Sequence, residues 1–212
     1  MKVLIFSDIH GNLPAFEKML ANETEVDQYL FLGDVVNYGP WDNECVDLLM
    51  DLDPLVCLMG NHEEYYISGE LEAKHPLVKE FFNFLYPSFQ RKKIIVGFEN
   101  DYQIGSYTAI HTLNNEYIFP DSYPEIDKNY FIGHSHHQFH HEFQGFHLYN
   151  AGSVGQNRKF INVINYLVFD TESSEVEMKS LTYDLDLLIN EMKSRSYPKI
   201  CIEYYLNKEK IQ

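Results

Sequence analysis

The sequence predicts an α/β fold in which two β-sheets share one core and carry helices outside, and three observations predict it. Short apolar runs at Lys2–Phe6, Gln28–Leu32 and Leu55–Leu58 have the character of buried parallel strands. Each leads into a polar loop and then an amphipathic stretch, the pattern of right-handed crossovers that feed a parallel sheet. Beyond Arg91 the chain turns to short β-rich runs separated by Gly, Asn or Ser, which require a second sheet.

Taken in order, Asn12 caps a helix that begins near Pro14 and turns Phe16, Met19 and Leu20 inward. A second helix over Asp42–Leu52 places Val46, Leu49 and Met50 on one face, and a third over Pro76–Tyr86 carries Leu77, Phe81, Phe84 and Leu85 at helical spacing before Pro87 stops it. The runs expected as strands of the second half are Lys93–Phe98, Tyr107–Thr112, Tyr130–Ile132, Phe146–Asn150, Ile161–Asp170 and Val176–Leu181. Asp184 then caps a helix to Lys193 that buries Leu187, Leu188 and Met192, and the Lys-rich end Asn207–Gln212 is expected to fray. No repeat, low-complexity tract or linker divides the chain, so residues 1–212 are expected as one domain, with the motifs in 1–181 and a helix and tail in 182–212.

The 212 residues, 45% of them hydrophobic, can bury one sizeable core. Sixteen basic against 32 acidic residues give a net charge of −16, which repels a nucleic-acid duplex or an anionic membrane unless bound cations intervene. Cys45, Cys57 and Cys201 form neither a disulfide framework nor a zinc ribbon, and the apolar start of the chain is too short for a signal peptide or a membrane span. A cytoplasmic protein is expected.

Five polar signatures punctuate the chain: Asp8-Ile9-His10, Gly33-Asp34, Gly60-Asn61-His62-Glu63, His111 and Gly133-His134-Ser135-His136. Most follow apolar runs, and residues just past strand ends line the ligand crevice of α/β folds, so these side chains are expected to meet. Asp8 and His10, two apart, would project from one face of an extended segment onto one cation. The two oxygens of Asp34 could bridge two metals about 3.5–4 Å apart, Asn61 offers a neutral carbonyl, and three imidazoles suit Mn, Fe or Zn better than Ca or Mg. Carboxylate, amide and imidazole without thiolate describe a catalytic site and not a structural zinc.

Taken together and in this order, the blocks closely resemble those of the calcineurin-like metallophosphoesterases. The resemblance spans Lys2 to Arg158, extending with the closing strands to Leu181, and implies a four-layer αββα sandwich of two mixed sheets flanked by helices. It implies two divalent ions, Mn2+ or Fe first and Zn2+ or Ni2+ as possibilities, one on Asp8, His10, Asp34 and His136 and the other on Asp34, Asn61, His111 and His134. It also implies that a metal-bound hydroxide attacks phosphorus while His62 assists the leaving group, with Asp34 and His62 as the catalytic residues.

Asn37 stands where the protein phosphatases of this superfamily place the aspartate that orients the histidine, and Met59 where they place an arginine, which argues against a phosphoprotein substrate. Gly33-Asp34-Val35-Val36-Asn37-Tyr38-Gly39-Pro40 and Asn150-Ala151-Gly152-Ser153-Val154-Gly155-Gln156-Asn157-Arg158 resemble instead the small bacterial and archaeal phosphodiesterase branch, with Ala151 and Asn157 in place of two prolines. Arg158 is the candidate phosphate contact, the alternative being a surface arginine on a tight turn. Asn61 and Asn12 are further candidate substrate contacts, with helix capping the alternative for Asn12. His137, His140 and His141 are expected at the rim, His75 and His147 as structural residues, Glu63 and Glu64 as charges on a helix N-terminus, and Tyr65, Tyr66, Tyr117 and Tyr123 beside the site. The expected substrate is a small phosphodiester or nucleotide. A dinucleoside polyphosphate hydrolase is the enzymatic alternative, and a scaffold that has lost turnover the alternative of another class.

Overall fold

The computed structural model describes residues 1–71 and 75–211. Along the chain run β1 (Lys2–Phe6), α1 (Leu13–Asn22), β2 (Gln28–Phe31), α2 (Asp42–Met50), β3 (Leu55–Cys57), α3 (Asn61–Ser68), α4 (Pro76–Leu85), α5 (Lys92–Ile95), β4 (Asp101–Ile104) and β5 (Tyr107–Ile110). There follow β6 (Asn129–Ile132), β7 (Gln138–Phe143), β8 (Phe146–Ala151), β9 (Val163–Asp170), β10 (Val176–Thr182), α6 (Leu185–Ser194) and α7 (Lys199–Leu206). One sheet has the order β10-β9-β1-β2-β3 and the other β4-β5-β6-β8-β7, and both are mixed. β1, β2 and β3 run parallel, as the crossovers require, while β9 pairs antiparallel with β1.

Alternation along β1 shows how the layers form. Val3 and Ile5 point at the second sheet and meet Tyr107, Phe131 and Phe169, whereas Leu4 and Phe6 point at the helices and meet Phe16 and Met19. Every one of these side chains is buried. The outer face of the second sheet, with Tyr130, Ile132 and Leu148, is covered by Ile118 and Ile126 from the irregular segment between β5 and β6.

Several expectations are corrected. Lys93–Phe98 is not a strand: Lys92–Ile95 is a helical turn that buries only Ile95, and Glu99 alone pairs with Leu58. A short apolar run such as Ile94-Ile95-Val96 is compatible with either state, and packing of Ile95 on the helical side decides it. β4, β7 and α7 were not foreseen, because β4 and β7 alternate polar residues on a half-exposed sheet. Met50 and Leu187 lie on exposed helix faces, 46% and 53% accessible. The chain end does not fray up to residue 211: Asn162 exchanges two hydrogen bonds of 2.9 Å with the backbone of Ile211, and Ile161 N donates to Glu209 O. Gln212 lies outside the described residues.

Candidate metal centre

The five signatures converge at the carboxyl ends of β1, β2, β5 and β6, joined by the start of α3. The loops are tied to one another directly, with Asp8 N donating to Gly33 O at 2.9 Å and His10 N to Asp34 O at 3.1 Å. Asp8 and His10 do not sit in an extended segment. Asp8, His10, Asp34, His134 and His136 all have left-handed backbone, with φ of 57°, 50°, 66°, 67° and 58°. Each such residue costs about 1 kcal/mol or more, and five together mark a site over-determined by its surroundings. The pairs Asp8/His10 and His134/His136 therefore reach the centre through left-handed turns and not by sharing one face of an extended segment.

Close approach needs glycine at two points. A Cβ on Gly133 would stand 2.7 Å from Asp8 Oδ2, which accepts the His134 amide at 3.0 Å. A Cβ on Gly33, whose φ is 109°, would meet Gly60 N at 2.7 Å.

All seven expected metal-ligating residues come together. His136 Nε2 lies 3.1 Å from Asp8 Oδ1 and 3.2 Å from His10 Nε2, forming one group. His111 Nε2 lies 3.1 Å from His134 Nδ1, 3.3 Å from Asn61 Oδ1 and 3.3 Å from Asp34 Oδ2, forming another. Asp34 Oδ2 is also 3.9 Å from His10 Nε2, so its carboxylate stands between the two groups.

The hydrogen bonds behind these atoms show that the residues fit cations. Nδ1 of His10, His136 and His111 each faces a backbone carbonyl, of Val36, Gln156 and Leu32, at 3.0, 2.8 and 2.8 Å. A carbonyl can only accept, so each Nδ1 carries the proton, and Nε2 of a neutral ring then presents a lone pair inward. Two such lone pairs and Asp8 Oδ1, a buried atom with no hydrogen-bond donor, point at a common space, and a second set does so around His111. Converging acceptors repel unless a cation or protons lie among them.

The titration of these groups expresses the same demand. Burial alone would lower His111, but Asp34 outweighs it and raises the imidazole to about 10. Burial and the charge of His111 lower His134 to about 4, and Asp34 stays well below the ordinary carboxylate range because His111 and His62 overcome its desolvation. A proton held between His111 and Asp34 is what a cation would displace.

His62 lies beside the centre on the first turn of α3, its ring 4.9 Å from that of His10. Asn37 meets His62 Nδ1 at 3.1 Å, so an amide occupies the position from which a carboxylate would orient the ring. Burial pushes His62 down to about 3. Glu63 was expected as a mere helix N-terminal charge; instead its buried carboxylate accepts the amides of Asp34, Val35 and Gly60 at 2.7, 2.8 and 2.9 Å. The signal was present, since Glu63 is the third residue after an N-cap and can reach back to it, and here the same reach extends to the Asp34 loop.

Asn12, a candidate substrate contact with helix capping as the alternative, takes the capping role and is fully buried: Oδ1 caps Ala15 N at 3.3 Å, and Nδ2 donates to Gly155 O and to Tyr183 Oη at 2.9 Å. The segment Asn150–Arg158 buttresses the centre. Ser153 Oγ donates to Asp8 O at 2.8 Å, and Asn150 Nδ2 to Gly133 O at 2.8 Å. Arg158 is part-buried, and its Nη1 donates to Tyr204 Oη at 2.7 Å. Tyr65 and Tyr117 line a cavity of about 600 Å³ together with Asn61, His111, His134, Glu64 and Glu70, and Tyr117 stacks on His134 at 4.0 Å. Tyr66, by contrast, is buried and donates to Asp42, while Tyr123 is 85% exposed away from this cavity. His137 packs edge-on against Phe119; His140 meets His147 at 3.0 Å on the β7–β8 hairpin, and His141 lies tilted against Phe139. Among the described residues these rim histidines join none of the groups of candidate metal ligands, one of which sets His62 beside His10 and Asp34. His75 caps α4, and His147 gains in His140 a partner not evident from sequence.

Comparison with known proteins agrees with this architecture. The fold superimposes on the crystal structure of a metallophosphoesterase from Sphaerobacter thermophilus with a TM-score of 0.82, covering 97% of this chain and 98% of that one at 24% identity. A hypothetical protein from Pyrococcus horikoshii OT3 gives 0.83 over 99% of each chain at 14% identity. An uncharacterized protein of Methanocaldococcus jannaschii is 28% identical over a 238-residue alignment that covers 93% of this chain and 94% of the relative. The family model described as calcineurin-like phosphoesterase matches residues 1–201. Two mixed sheets with helices, a cluster of facing imidazoles and carboxylates, and that match together place the chain in the calcineurin-like phosphoesterase family, as a phosphoric ester hydrolase.

Proposed function

We propose that this chain, as one domain, is a two-metal phosphodiesterase acting on a small diester or nucleotide. Asp8, His10, Asp34 and His136 would hold one divalent ion, and Asp34, Asn61, His111 and His134 the other. The supporting observation is the set of inward-facing Nε2 atoms and the partnerless Asp8 Oδ1 on either side of Asp34. The donor set suits Mn2+ or Fe, with Zn2+ and Ni2+ as further candidates. When bound, such a pair lowers the pKa of water and neutralises phosphoryl oxygens.

The chain's own residues do the rest. Carbonyls of Val36, Leu32 and Gln156 fix the tautomers of three imidazoles, so their lone pairs point inward without reorganisation. Asp34 takes no proton, because its Oδ1 accepts the His62 amide at 2.9 Å and its neighbours hold it ionised. Negative charge gathering on the departing oxygen would raise the His62 imidazole from the value near 3 at which burial holds it, so that Nε2 can hand over a proton, with Nδ1 facing Asn37. Arg158 binds a phosphoryl oxygen, and Tyr65 and Tyr117 line the cavity that receives one ester group. The net charge of −16 speaks against duplex nucleic acid as substrate, no helix of the described residues is long and apolar enough to cross a membrane, and three unpaired thiols suit a cytoplasmic setting.

Metal-depleted protein resupplied with Mn, Fe, Zn, Ni or Mg and assayed on aryl monoesters, aryl diesters and nucleotides tests the reading. Diester turnover should return with Mn2+ or Fe, and His62→Ala should cost about 10²–10⁴-fold in kcat. Turnover independent of added metal, or unchanged in His62→Ala, would refute it.

A further inference from the structure

Arg158 has neighbours that the phosphodiesterase reading does not use. Its Nη1 bonds the hydroxyl of Tyr204 on α7, and the ammonium of Lys208 lies over the face of the same ring, 5.1 Å from its centroid. Two cations therefore converge on one tyrosine. Among the described residues no carboxylate pairs with either, in a chain that carries 32 acidic residues against 16 basic ones. Desolvation and the charge of Arg158 both lower Lys208, so the two cations repel each other where they stand.

The cluster adjoins the metal centre. Tyr38, whose hydroxyl is within hydrogen-bonding reach of Arg158, packs its ring at 4.9 Å on His10 and at 5.4 Å on His62. Gln156, two residues before Arg158, accepts from His136. Like charges held together without counter-charge beside a phosphate-handling site cost stability, and an anion between them removes that cost.

We propose that Arg158, Lys208 and Tyr204 form a subsite for a second anionic group on the substrate, so that the favoured diesters carry an additional phosphate beside the one that reacts. This rests on the phosphodiesterase reading for its place in the reaction, but not for binding. Arg158 reaches toward the reacting phosphate, Lys208 toward the second, and the Tyr204 hydroxyl orients the guanidinium between them. The segment α7 and its exit, tied to Ile161 and Asn162 by backbone and side-chain hydrogen bonds, holds the subsite against the rest of the site.

The probes are thymidine 5′-(p-nitrophenyl phosphate) with and without a 3′-phosphate, turned over by the manganese-loaded protein, and thymidine 3′,5′-bisphosphate against thymidine 5′-monophosphate in calorimetric binding. The parent should favour the doubly phosphorylated member of each pair by about tenfold, the worth of one charge-assisted contact. Lys208→Gln should reduce both preferences to within about twofold, whereas Lys199→Gln, which removes an exposed charge from the start of α7, should retain them. Equal affinity of the parent for both nucleotides, or a preference that survives Lys208→Gln, overturns the subsite. Loss of turnover on both esters with the bisphosphate preference intact overturns the phosphodiesterase reading and leaves the subsite standing.

Discussion

At the scale of single residues, the candidate centre is governed by what lies behind each inward-facing side chain. The outward Nδ1 atoms are spoken for by carbonyls of Val36, Leu32 and Gln156, and that is why the inward atoms are acceptors. His62 lacks such an arrangement, because Asn37 offers it an amide, and burial holds it near 3 against the pull of Asp34. Asn37→Asp places a carboxylate against Nδ1 and should stabilise the imidazolium. The acid form then persists to higher pH, so the alkaline limb of the kcat profile should move upward by about 1–3 pH units. An unshifted profile would show that His62 is not the proton donor. Sequence made Asn37 visible as a departure, but only geometry shows that it still contacts the ring.

At the scale of elements, the loops after β1 and β2 are held by residues outside the signatures. Asp42, on the first turn of α2, accepts Asn37 N at 2.9 Å and Tyr66 Oη at 2.7 Å, and so secures Asn37 and Tyr38, both at φ 74°. Burial pushes Asp42 up to about 7, above its unfolded value of 3.8. The folded state therefore keeps a proton that the unfolded state releases across that window. Stability from this group is full below about pH 4 and is lost as pH rises through about 7. Urea titrations at about pH 4 and pH 7.5 should show the parent-minus-Asp42→Asn difference in unfolding free energy falling between them. A difference that rises would contradict the assignment. The left-handed backbone of five candidate ligand residues was not legible in sequence, since Asp and His adopt it more often than most residues but still only in a small minority of positions; what was legible was their order and their place after apolar strands. Polar alternation hid β4 and β7, and the short aliphatic run within Lys93–Phe98 imitated a strand.

At the scale of the whole molecule, two sheets bring together residues as far apart as Asp8 and His136, and β1 makes this possible by burying both of its faces. The same arrangement was foreseeable because most of the signatures follow apolar runs that read as strands, whereas the contribution of α7, which delivers Tyr204 to Arg158, depended on tertiary packing at the chain end. The chain as a whole carries a net charge of −16, and the candidate ligands of its centre are themselves anionic or electron-rich, so bound cations are the natural complement. Crystals grown with manganese and measured at an anomalous wavelength test this most directly. Two peaks should flank the Asp34 carboxylate, about 3.5–4 Å apart, one against Asp8, His10 and His136 and the other against Asn61, His111 and His134. No anomalous density beside Asp34, or a single ion held elsewhere, would contradict it.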